Sequence, residues 1–164
     1  MIISGAAPEG ALHGKYARSG AYTDCFSTVI AGSVSHPEFV QAFYTSKVFK
    51  LERFILEWLV DKPSTDAEAK ELASGQRDRF AAWTVEERSA DQLLMCDYLS
   101  QTRSWLMVGH CERDGSPATR LYFGSVVVPV RRFPFNVLLG FHRLYSRVLL
   151  RAARARLTRL RKQL

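Results

Sequence analysis

The chain has 164 residues, 47% apolar and 24% charged, average proportions that fit one ordinary folded domain and exclude disorder or a fibrous repeat. Its formal charge of +7 is segregated: no acidic residue follows Asp114, whereas ten arginines and one lysine do, which leaves residues 1–114 at −4. Cys25, Cys96 and Cys111 form neither a disulfide framework nor a metal-binding pair, so a reducing, cytoplasmic setting is the simpler reading, and no apolar run approaches the roughly 20 residues of a membrane span.

In chain order, residues 1–20 carry Gly5, Pro8, Gly10, Gly14 and Gly20. They lack the basic-then-apolar order of a signal peptide and read as a flexible leader, with 21–164 as a single α+β domain. Tyr22–Ala31 reads as a strand, with Tyr22, Asp24, Phe26, Thr28 and Ile30 on one face. Ser35 can cap a helix that has Pro37 in its first turn and Glu38 at its positive end. Phe39, Val40, Phe43, Val48, Leu51, Ile55, Trp58 and Leu59 then recur at helical spacing over 37–60, as one helix with a break near Thr45 and Ser46 or as two short ones. Thr65 and Glu68 have capping-box spacing for a short helix that Gly75 is placed to end.

Four β-rich runs follow, at Arg79–Glu87, Gln92–Leu99, Arg103–Glu112 and Pro117–Val128, and predict an antiparallel meander. Asp114-Gly115 marks a type I′ hairpin, because both central residues of that turn need positive φ. The implied register faces Arg113 with Ser116, His110 with Thr119, Val108 with Leu121 and Leu106 with Phe123; on the other face Trp105 lies over the bare Gly124. Both faces of this hairpin are largely apolar, so one is expected on the core helix and the other under a loop, a ligand or a second subunit. From about Asn136 a long helix is predicted, with Val137, Phe141, Leu144, Tyr145, Val148, Leu149, Ala152 and Ala155 as its apolar stripe.

This order of elements over about residues 22–160 resembles the helix-grip fold of the START and Bet v 1-like superfamily. The segments Tyr22-Thr-Asp-Cys-Phe26, Asp91-Gln-Leu-Leu-Met-Cys-Asp-Tyr98 and Gly140-Phe-His-Arg-Leu-Tyr-Ser-Arg-Val-Leu-Leu150 resemble, more narrowly, a bacterial domain family without assigned function. The resemblance implies a curved sheet gripping the last helix, with a cavity for an apolar ligand between them. It brings no catalytic residue.

The chemical motifs are mostly absences. Gly14-Lys15 lacks the earlier glycine and following hydroxyl of a phosphate loop, and Ala31-Gly32-Ser33-Val34 lacks the later glycines of a dinucleotide turn. No metal-ligating His pair, nucleophile elbow or close Cys/His group occurs, so neither cofactor nor metal is expected. The binding candidates are His110, Leu121 and Phe123 on the hairpin and His142 and Tyr145 on the last helix, around an apolar or amphipathic small molecule. For His110 a strand-end hydrogen bond to Thr119 is the plainer alternative, and catalysis through it ranks third. The alternative function is an interaction module. Arg143, Arg147, Arg154 and Arg161 fall on one arc of the last helix, which is either solvated or set against an anionic membrane surface. A homodimer is a further option, and nucleic acid is least favoured for want of a stacking aromatic after Tyr145.

Overall fold

A computed structural model of the chain describes residues 1–51, 63–128 and 135–162, with side chains in the last stretch from 143 onward. Its elements are β1 (Ile3–Ser4), α1 (Gly14–Arg18), β2 (Tyr22–Ala31), α2 (His36–Tyr44), α3 (Asp66–Ser74), β3 (Arg79–Phe80), β4 (Trp83–Arg88), β5 (Gln92–Asp97), β6 (Thr102–Arg113), β7 (Ser116–Val127) and α4 (Phe135–Arg161). The strands form one antiparallel sheet in the order β1-β2-β7-β6-β5-β4-β3. The fold is therefore α+β: a meander from β3 to β7, with β2 closing on β7 and helices packed across one face.

Local chemistry sets the helix boundaries. Ser35 and Glu38 form a reciprocal capping box at the start of α2, and Thr65 and Glu68 do the same for α3. Gly75 ends α3 in the left-handed conformation at φ 81°. Thr45 and Ser46 break the helix after α2, and a new one begins at residue 47, where the Phe49 amide donates to Ser46 Oγ at 3.3 Å. The expected continuation through Ile55, Trp58 and Leu59 lies outside the described residues.

At the hairpin, Asp114 and Gly115 sit at φ 52° and 71°, and the expected register holds pair by pair from Arg113 with Ser116 to Trp105 with Gly124. The run at Arg79–Glu87 differs from expectation, because it is two strands. Ala81 turns the chain at φ 50°, so Phe80 pairs with Trp83 in a small hairpin of its own.

Phe26, Leu93, Leu106, Leu121 and Phe123 on the inner face pack with Phe39, Phe43 and Phe49 and with Leu149, Leu150 and Leu157 of α4. Here the predicted stripe holds at Leu149, is half-buried at Tyr145 and Ala152 and is corrected elsewhere, while the Val137 and Phe141 side chains lie outside the described residues. Leu144, Val148 and Ala155 are exposed, and α4 seats on Ser146, Leu149, Leu150, Ala153 and Leu157. Leucine and valine occur on both sides of this helix, so periodicity alone does not distinguish the two seatings.

The second correction concerns residues 1–20, which are packed against the sheet. The outer face presents Cys25, Leu94 and Trp105 with Met107 and Tyr122, and Ala7, Ala11, Leu12 and Tyr16 cover it. Of the three covers expected for this face, the structure shows the loop. Gln92 fixes it: its Oε1 accepts from the Leu12 amide at 3.0 Å and from Trp105 Nε1 at 2.8 Å, while its Nε2 donates to the Gly10 carbonyl at 3.2 Å. Lys15 pairs with Glu86 and Glu87, and Tyr16 donates to Glu86.

Candidate functional site

Between the inner face and α4 lies a cavity of about 170 Å³. Phe43, Phe49, Trp83, Phe123 and Leu149 make its apolar wall; Thr102, Ser104, Ser125, Tyr145 and Ser146 bring hydroxyls to it. Arg103 borders the cavity from the strand between Thr102 and Ser104, but its side chain lies on the outer face, where the guanidinium donates to Glu86 at 3.0 Å, to Tyr16 Oη at 3.0 Å and to the Ser100 carbonyl at 2.6 Å.

The strand register explains this division. Phe26, Phe123 and Leu106 are neighbours across β2, β7 and β6, and two residues along the same face the row becomes Asp24, Ser125 and Ser104. An aromatic row thus adjoins a polar row, because side chains two apart share a face. The Ser125 hydroxyl donates to Asp24 Oδ1 at 2.6 Å and its amide donates to the same oxygen at 2.9 Å. The Ser104 hydroxyl has no hydrogen-bond partner among the described residues. Tyr22 Oη reaches Asp24 Oδ2 at 3.4 Å, and burial first, then the Asp24 charge, push its phenol above the ordinary value.

Two of the predicted candidates, Phe123 and Tyr145, line this cavity. Leu121 is buried in the core but is not part of the lining, and the His142 side chain lies outside the described residues. His110 is corrected. It is exposed near the Asp114-Gly115 end of β6, six residues and roughly 20 Å along the strand from Ser104. Its facing Thr119 is occupied elsewhere, accepting from the Val34 amide and donating to the Gly32 carbonyl, each at 2.9 Å. Among the residues that sequence reasoning missed, Ser104 and Ser125 carried a signal: in the predicted register they are polar positions in line with Leu106 and Phe123. Trp83 and Phe49 carried none, because only the packing of β4 and of the helix from residue 47 brings them there.

The four arginines expected as one ridge are not equivalent. Arg161 Nη1 donates to the Ala31 carbonyl at 2.9 Å, Arg147 lies over the Phe26 ring at 5.4 Å, and Arg154 is half-buried beside Arg120 and Arg113. Arg143 is exposed. Among the described residues no group of three or more His, Cys, Asp or Glu could hold a metal ion, and no described helix is long and apolar enough to cross a membrane.

No known family model and no curated protein matches the chain. Among solved structures, an uncharacterized protein from Rhizobium leguminosarum aligns over 85% of this chain and 98% of its own, at 11% identity and a TM-score of 0.30. A likeness at that level carries no argument about function.

Proposed function

We propose that the protein is a helix-grip module that binds a small amphipathic molecule between its sheet and α4. The observation that carries this reading is the cavity itself, with an aromatic row on one side and the Ser104–Ser125 row on the other. At about 170 Å³ it suits a single ring or a short-chain group, since a cavity of roughly 150 Å³ accepts benzene and drug-sized sites exceed about 300 Å³. Because the Ser104 hydroxyl can both donate and accept, a ligand with one hydrogen-bonding end fits best. A polar ligand end left unpaired against the aromatic wall penalises binding by about 1–3 kcal/mol, so the pairing with Ser104 orients the ligand.

Titration calorimetry with p-cresol and with toluene tests the reading. Saturable binding of p-cresol is expected, with toluene weaker, and Phe123→Trp should abolish both by filling the space. Ser104→Ala should narrow the difference between the two ligands. The absence of saturable binding for both, in a protein whose thermal unfolding is cooperative, would discard the cavity as a site for ligands of this size.

A further inference from the structure

The seating of α4 leaves an outward stripe at steps of three or four residues: Leu144, Val148, Arg151, Ala155, Arg159 and Lys162, all exposed. Its two larger aliphatic members, Leu144 and Val148, are 61% and 41% exposed, with the exposed Arg143 and Arg147 beside them. None of these five basic residues is ion-paired with a described residue. No carboxylate lies within the stripe, and none follows Asp114 in the sequence.

We propose that this stripe docks on a bilayer surface bearing anionic headgroups, with Leu144 and Val148 entering the interfacial zone and Arg151, Arg159 and Lys162 lying against the phosphates. The physical case is the combination. Exposed aliphatic side chains gain by leaving water, and basic residues on the same face gain from the negative surface potential. Neither gain is available to Leu150 and Leu157, which are buried in the core. A nucleic acid would use the charges but offers no place for two aliphatic side chains, and the stripe has no aromatic residue to stack on a base. The surface stands independently of the ligand cavity, because none of its six residues lines that cavity.

Co-sedimentation of the full chain with vesicles decides the matter. Phosphatidylcholine vesicles containing phosphatidylglycerol should pellet the protein, pure phosphatidylcholine vesicles should not, and added salt should release it. The variant Arg151→Gln/Arg159→Gln should bind about twenty-five-fold more weakly, at about fivefold per charge. Leu144→Ser/Val148→Ser should also weaken binding while keeping its salt dependence. Both pairs alter exposed positions, and circular dichroism confirms that each variant is folded. The proposal is overturned by equal partitioning to both vesicle types, by no binding to the anionic vesicles, or by wild-type binding of either folded variant. Preferential capture of the chain by a DNA or RNA oligonucleotide in a mixture with the vesicles would overturn it as well.

Discussion

The tightest constraint on a single residue is at Gly115. A Cβ placed there would meet nothing within 4 Å, so space is not the issue. Its φ of 71°, following Asp114 at 52°, is the left-handed conformation that a β-branched side chain resists. Gly115→Val is therefore expected to destabilise the protein by about 1–3 kcal/mol through the backbone alone, as read from the urea midpoint at constant m-value. An unchanged midpoint would show that the turn adopts another form and that the β6–β7 register is not set there. Gly124 is constrained differently. A Cβ at that position would lie 2.8 Å from the Asp24 carbonyl oxygen and 2.9 Å from both His13 Nε2 and Trp105 Cε3. The missing side chain lets the first segment of the chain approach the sheet.

At the scale of elements, two histidines hold packed segments in place. His13 is buried against Trp105 at 4.2 Å between ring centres, under the segment that crosses the outer face. His36 is buried at the start of α2. Burial, foremost, pushes each imidazole down to about 4; the Asp24 carbonyl works against this at His13, and Arg88 adds to it at His36. In the unfolded chain both titrate near about 6.5, so between the two values the unfolded state binds more protons and stability falls with falling pH. The contribution is complete above about pH 6.5 and is progressively lost toward pH 4. About 2 kcal/mol per histidine should be missing at about pH 5, which urea unfolding at the two pH values measures. Replacing both with Phe should flatten the slope between them; a slope that persists in the double variant would place its origin in other groups.

For the molecule as a whole, stability should follow the sheet order. β6 lies at the centre of the seven strands, and its pairing with β7 runs over twelve residues, whereas β1 and β3 contribute two each at the edges. Hydrogen exchange followed by mass spectrometry is expected to find the slowest amides in β6 and β7 and the fastest among the strands in β1 and β3. Equal protection at edges and centre would instead mean that the sheet opens only by global unfolding. The charge is distributed just as unevenly, since the basic side chains on the outward stripe of α4 sit on a molecule whose first 114 residues are net acidic. That asymmetry favours a fixed orientation toward an anionic surface.

Wherever neighbours in the chain decide the outcome, the sequence was sufficient. The strand at 22–31, the Ser35 cap, the Thr65–Glu68 capping box, the helix break at Thr45 and Ser46 and the β6–β7 register are local matters of hydrogen bonds, φ preference and alternation, and all were legible. Phe123 was placed on the inner face by that register and Tyr145 on the last helix by its periodicity, and both line the cavity. Three things were not. A glycine-dotted first segment gives no sign that Gln92, some eighty residues later, holds its backbone. A helix with apolar residues on two sides does not say which side it buries; the shape of the inner face decided for Leu149, Leu150 and Leu157 and left Leu144 and Val148 outside. The cavity opens at the Ser104 end of the hairpin rather than beside His110, because its wall comes from Trp83, Phe43 and Phe49, residues of three separate elements that only tertiary packing brings together.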